Sequence, residues 1–279
     1  MTTTDAAVAV VTGAGGTLCS AMARDLAARG HAVALLGRTR ASLETVAAAI
    51  AEAGGRALAV PCDVTDVAAV REAGDRVATE LGPCRVLVNG AGGKLPGSVT
   101  TQGAFTPEEL ETDSPVTGFL NCDLDVFRAE IDLNINGTVI PAQIFGRQMA
   151  AAGGGSIVNC ASMASYRALS RIAPYAAAKS AIVSVTQWLA AYLAPAGIRV
   201  NAIAPGFILN ERNRSLLLED DGSPSRRGAQ VLAHTAAGRF GQAQELLGCL
   251  RWLIDEDAAG FVTGITVPVD GGFLASPGV

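Results

Sequence analysis

Histidine is almost missing from this sequence: only His31 and His234 occur among 279 residues. The six cysteines (Cys19, Cys62, Cys84, Cys122, Cys160 and Cys249) form no CxxC pair and no tight cluster. A zinc centre needs imidazole or thiolate ligands grouped together, so metal catalysis is not expected. The scattered thiols read as reduced cysteines of an intracellular fold. Charge is scarce too, at 17% of residues with a net charge of −5 and no run of Lys or Arg. That balance argues against a nucleic-acid partner, which needs a basic face. No apolar run approaches the roughly 20 residues that span a bilayer. The opening MTTTDAA lacks the basic and apolar regions of a secretion signal. We therefore expect a cytoplasmic protein with neither a membrane nor a nucleic acid as partner.

Aromatics make up only 5% of a chain that is 49% hydrophobic, so Ala, Val, Leu and Ile must fill its core. That is the composition of a buried parallel sheet. Short Val/Ile/Leu-rich runs alternate with longer Ala-rich amphipathic stretches, the rhythm of repeated βαβ units. Strands are expected over 6–12, 32–36, 57–61, 85–89, 156–159, 199–204 and 265–269. Helices are expected over 20–29, 42–53, 67–81, 126–150, 174–193 and 243–254. No linker, repeat or low-complexity tract interrupts them. The expected fold is therefore α/β, a doubly wound seven-stranded parallel sheet of Rossmann type with helices on both faces, as one domain over 1–279. Two excursions, at about 94–125 and 207–239, leave from carboxyl ends of strands. Ligands bind at such ends in open α/β sheets, and long loops there serve as lids or specificity elements.

The first expected strand runs into Thr12-Gly-Ala-Gly-Gly-Thr-Leu-Cys19 and then a helix. Glycines let a backbone turn tightly against a pyrophosphate, whose charge the helix N-terminus favours. Such a loop alone is a weak signal. At the end of the second strand Arg38 stands where a dinucleotide's ribose would lie, with no carboxylate beside it. An acid there takes the ribose hydroxyls of NAD, whereas Arg suits the 2′-phosphate of NADP. Arg38 thus favours NADP, and a merely solvated Arg38 would leave NAD usable. Further along, Tyr175 and Lys179 are four residues apart on one expected helix, so both can reach one site. A nearby cation should lower the tyrosine pKa and make Tyr175 a general acid or base.

Asp63-Val64, Asn89-Gly-Ala-Gly92, Ser162, Tyr175-Ala-Ala-Ala-Lys179 and Pro205-Gly206 follow in this order along the chain. With the glycine loop they resemble the short-chain dehydrogenase/reductase family over essentially the whole length. The resemblance implies NAD or NADP as cofactor and a homotetramer with the Tyr175 helix and residues 270–279 at subunit contacts. It implies cofactor contacts from Gly13, Gly15, Gly16, Thr17, Leu18, Arg38, Asp63, Val64, Asn89, Gly90, Ala91, Tyr175, Lys179, Pro205 and Gly206. It also implies that Ser162 orients the substrate oxygen, Lys179 holds the nicotinamide ribose and Asn134 supports a proton relay. Asn136 is the competing choice for the last role, and register favours Asn134. The family's second and third loop glycines are Thr17 and Cys19 here, and each added Cβ narrows the approach of backbone to phosphate.

Residues 205–217, 234–241 and 261–273 are similar to the D-mannonate oxidoreductase (fructuronate reductase) branch. This implies a sugar acid as substrate. A carboxylate calls for donors such as Arg. Arg212, Arg214 and Arg239 are the candidates, with Asn213 placed to bond sugar hydroxyls. The alternatives are the same chemistry on another carbonyl, such as a 3-oxoacyl thioester, polyol or ketose, and a catalytically idle nucleotide-binding scaffold.

Overall fold

Seven strands, β1 (Val8–Thr12), β2 (Ala32–Gly37), β3 (Arg56–Pro61), β4 (Cys84–Asn89), β5 (Gly155–Cys160), β6 (Ile198–Pro205) and β7 (Thr266–Val269), form one parallel sheet in the order β3-β2-β1-β4-β5-β6-β7. The computed structural model describes residues 7–276. The helices are α1 (Thr17–Ala28), α2 (Arg40–Glu52), α3 (Val67–Glu80), α4 (Leu124–Ala151), α5 (Ala173–Leu193), α6 (Glu211–Leu217), α7 (Arg226–Ala233), α8 (Leu247–Ile254) and α9 (Glu256–Ala259). Among the described residues, no helix is long and apolar enough to cross a membrane.

Side chains alternate across the sheet with the period of two that a strand imposes. Ala9 and Val11 of β1 join one core with Met22 and Leu26 of α1, Leu43 and Ile50 of α2, and Leu250 of α8. Val8 and Val10 join the other, with Val70 and Val77 of α3 and Phe145 and Met149 of α4. Both faces are thus covered, which is why the strands read as unbroken apolar runs. Strand order reverses between β1 and β4, and a crevice opens beyond their carboxyl ends.

Expected and observed elements agree to within a few residues, and position 6 lies outside the described residues. The excursion after β6, expected as a loop, holds α6 and α7. Asn210 starts α6 by accepting from the Arg212 and Asn213 amides, and Ser225 starts α7 by accepting from the Gly228 amide. The expected helix at 243–254 begins as a 3-10 turn, Ala243–Leu246. The carboxyl-terminal stretch packs on its own chain. Phe273 is buried, its ring edge-on to Phe207 at 5.5 Å, and Arg167 donates to the carbonyls of Leu274 and Ser276. Residues 277–279 lie outside the described residues.

Candidate active site

The crevice is built first from the ends of β1 and β4. The Thr12 hydroxyl accepts from the amides of Gly90 and Ala91, both at 3.0 Å, and fastens the two strand ends together. Gly13 follows with φ +68°, and a Cβ there would lie 2.9 Å from the Ala91 backbone, so only glycine fits. Gly16 then caps α1 with extended backbone and no side-chain hydrogen bond. The first-turn amides of α1 therefore have no side-chain acceptor, which is the arrangement that suits a pyrophosphate. Gly15 and Thr17 are exposed at this turn, and Leu18 packs against the core.

The residues that break the family's glycine pattern have separate fates. Thr17 is exposed, whereas Cys19 is buried and turned inward. A Cβ on Gly90 would overlap the Cys19 sulfur and lie 3.6 Å from that of Cys160. The bulk of Cys19 thus occupies space left by the bare backbone of Gly90. Its crowding falls on β4, away from the amides at the turn.

On the adenosine side, Arg38 is exposed at the end of β2. The Asp63 carboxyl accepts from the Thr65 amide and hydroxyl at 2.9 and 2.7 Å. These bonds hold it below the ordinary carboxylate value, with a smaller contribution from the Arg38 guanidinium. Val64 is buried, and Gly137 of α4 passes close to it. Asn89 is buried: its amide nitrogen donates to Asn159, which donates in turn to Thr186 of α5, each at 2.9 Å, while its Oδ1 has no partner. Pro205-Gly206 ends β6, and the Gly206 amide donates to the Val269 carbonyl of β7.

Ser162, Tyr175, Lys179 and Asn134 come together around Gly92 and Gly93. A Cβ on Gly92 would lie 2.6 Å from Asn134 Oδ1 and 3.4 Å from Lys179 Nζ. Asn134 is fully buried and clasps Gly93, donating to its carbonyl at 2.8 Å and accepting from its amide at 3.0 Å. Asn136, by contrast, is exposed and bonded to Asp132. Ser162 caps the 3-10 turn Met163–Ser165. Lys179 Nζ donates to the Cys160 carbonyl at 2.7 Å and sits 5.8 Å from the centre of the Tyr175 ring.

The electrostatics of this group correct one expectation. Lys179 stands beside Tyr175, yet burial pushes the phenol above its ordinary value, and the Ser162 hydroxyl only partly opposes it. Negative charge on Cys160 and Glu130 adds to the rise. Burial also lowers Lys179. Desolvation disfavours the charged form of each and is the largest cause of both shifts. Tyr175 is consequently a hydroxyl that keeps its proton at neutral pH and has it to donate.

Glu130, one turn before Asn134 on α4, had no sign in the sequence beyond that spacing. It is fully buried, and its backbone carbonyl accepts from Asn134 at 2.8 Å. One carboxyl oxygen accepts from the Leu95 amide and the Ser98 hydroxyl, and the other has no partner. The expected substrate residues are dispersed. Arg212 and Arg214 are exposed on α6, and the Asn213 side chain closes the α6 cap and donates to the Ile208 carbonyl. Arg239 is held by both oxygens of Glu245 at 2.8 and 2.6 Å.

A parallel sheet with a glycine turn that offers no side-chain cap, and a Ser/Tyr/Lys group in which Ser162 and Lys179 are buried and Tyr175 is half-buried, defines a class of dinucleotide-dependent oxidoreductase. The chain matches the short chain dehydrogenase family over residues 7–220 and belongs to it. It is 42% identical to the uncharacterised oxidoreductase UxuB of Bacillus subtilis, covering 97% of this chain and 96% of that protein. A Haemophilus influenzae structure with bound NAD, provisionally described as a D-mannonate oxidoreductase, superposes with a TM-score of 0.92 at 38% identity over 98% of this chain and 96% of that one. A gluconate 5-dehydrogenase of Burkholderia cenocepacia, in complex with NADP and tartrate, superposes with a TM-score of 0.81 at 33% identity over 97% and 96%. The protein is an NAD(P)-dependent oxidoreductase.

Proposed function

We propose that this enzyme interconverts a secondary alcohol and a ketone on a sugar acid of the D-mannonate/D-fructuronate kind. The observation that carries the chemistry is the convergence of Ser162, Tyr175, Lys179 and Asn134 at the carboxyl edge of β4 and β5. The likeness to the Haemophilus protein supports the substrate. The bound nicotinamide supplies or accepts the hydride. Tyr175 gives its proton to the carbonyl oxygen during reduction and takes it back during oxidation. Ser162 orients that oxygen, while Lys179, fixed by the Cys160 carbonyl, holds the nicotinamide ribose. Asn134 keeps Gly93 in place and links Tyr175 to solvent through a proton relay. The likeness to the gluconate 5-dehydrogenase favours, as a second reading, an aldonate of a different configuration.

Gly13, Gly15, Gly16 and the first turn of α1 take the pyrophosphate, and the exposed Arg38 inclines the adenosine end toward NADP. Assembly is a homotetramer through α5. Trp188 and Tyr192 stack on it at 4.8 Å while remaining 61% and 66% exposed, an apolar surface suited to a second copy. A monomeric mass by light scattering at micromolar concentration would refute this. The activity is tested by following nicotinamide absorbance with NADH or NADPH and a panel of keto sugar acids, ketoses and 3-oxoacyl esters. We expect the keto sugar acids to give the highest kcat/KM. A preference for uncharged or thioester substrates overturns the sugar-acid reading.

A further inference from the structure

We propose that Glu130 is a positioning residue of this enzyme: its carboxyl holds the loop after β4 at Leu95 and Ser98, one turn from where Asn134 holds the same loop at Gly93, and so sets Asn134 against the catalytic group. The proposal requires the oxidoreductase chemistry but no particular carbonyl substrate. Glu130 and Asn134 are four residues apart and share the buried face of α4. Asn134 donates to the Gly93 carbonyl at 2.8 Å and accepts from the Gly93 amide at 3.0 Å. Its nitrogen also donates to the Glu130 backbone carbonyl at 2.8 Å. One carboxyl oxygen of Glu130 accepts from the Leu95 amide at 2.5 Å and from the Ser98 hydroxyl. The Ser98 amide closes a turn on the Leu95 carbonyl at 3.2 Å, so both ends of that turn meet one oxygen. Two successive turns of one helix thus grip residues 93, 95 and 98.

The loop so held is packed against the reacting groups. A Cβ on Gly92 would lie 2.6 Å from Asn134 Oδ1 and 3.4 Å from Lys179 Nζ, so the backbone there is in close contact with both side chains. Further on, the Thr100 amide donates to the Arg171 carbonyl at 3.0 Å, and Arg171 Nε donates to the Thr100 carbonyl at 2.5 Å. Arg171 has φ +76°, a conformation that costs a non-glycine residue energy and persists only where its surroundings hold it. The loop is therefore clamped between α4 and the segment that leads into Tyr175 and Lys179. Glu130 supplies the middle fastening.

A buried carboxyl is a costly choice for a purely structural tie. Glu130 has no exposed surface, and its second oxygen has no partner. A glutamine would offer the same single acceptor oxygen without a charge to desolvate. What the charge adds is strength, since hydrogen bonds to an ionised acceptor are roughly twice as strong as neutral ones. It also adds a negative field at the phenol. Tyr175 is raised first by burial, opposed by the Ser162 hydroxyl, and raised again by Cys160 and Glu130, while Lys179 Nζ, 5.8 Å from the ring centre, is the cation beside it.

Glu130→Asp and Ser98→Ala test the grip and Glu130→Gln the charge, in the full-length enzyme with melting temperature and NAD(P)H affinity recorded, using whichever carbonyl of the panel is reduced fastest. Glu130→Asp keeps the charge but shortens the reach by one methylene. Its kcat should fall by roughly tenfold or more with NAD(P)H affinity near wild type, because a misplacement of about 1 Å can cost as much as 10²-fold in rate. Hydrogen exchange at the amides of residues 93–98 should quicken in the same variant while β4 stays protected. Ser98→Ala should move both readouts the same way by less, and it decides the matter if the aspartate variant does not fold. Glu130→Gln keeps the length and removes the charge, so Tyr175 falls and the alkaline limb of ketone reduction should move to lower pH. Unchanged exchange in Glu130→Asp overturns the proposal, as does faster exchange with unchanged kcat, which would make the contact structural alone. A limb that stays in place in Glu130→Gln overturns the link to Tyr175.

Discussion

Cys19 sits where the family's phosphate loop carries glycine, and the structure puts its sulfur in the space that a side chain on Gly90 would fill. Gly90→Ala therefore drives a methyl group into the sulfur. Its backbone lies outside the left-handed region, so the penalty is steric. Overpacking of this kind costs about 1 to 3 kcal/mol. Cys19→Ala removes one buried heavy atom and keeps a good helix former, at a cost of about 1 kcal/mol. In the double variant the new methyl enters the volume the sulfur vacated, though it still meets the Thr12 carbonyl at 3.1 Å. The double variant should thus be more stable than the sum of the single losses by about 1 kcal/mol or more. Denaturant or thermal melts of the four proteins measure that coupling. NAD(P)H affinity should follow stability in Gly90→Ala and recover in the double variant, because the same β4 end is tied to Thr12 beside the loop. Strict additivity would show that the sulfur does not occupy that space, and the account of how this loop tolerates cysteine would fail.

Other outcomes are as definite. Tyr175→Phe should lower kcat by roughly 10²- to 10⁴-fold while NAD(P)H affinity stays near wild type, and near-normal turnover would sink the mechanism. Arg38→Asp should move preference from NADPH toward NADH by repelling the 2′-phosphate, and a wild type that already prefers NADH strongly would refute the Arg38 reading. Because burial raises Tyr175, kcat/KM for ketone reduction should hold through neutral pH and decline only above the ordinary tyrosine value near 10. Alcohol oxidation, which needs the deprotonated hydroxyl, should climb over that same range, and a reduction limb that falls near neutrality would contradict the sign of the shift.

The central strands were legible because they are runs buried on both faces and closed by Gly, Asn or Pro, as β1, β4 and β6 show, whereas the edge strands β3 and β7 are only half-buried. The helices α6 and α7 were not, since seven and eight residues carry too little periodicity and both start from caps inside a polar stretch that reads as turns. Spacing placed Tyr175 and Lys179 side by side, but it carries no information on burial, and burial decided the direction of both shifts. The same gap hid Glu130, whose place one turn before Asn134 is plain while its complete enclosure is not. Loop arginines are the hardest to read. Arg239 and Arg171 are equally polar in sequence, and only the fold gives the first a carboxylate and the second a strained backbone locked to Thr100.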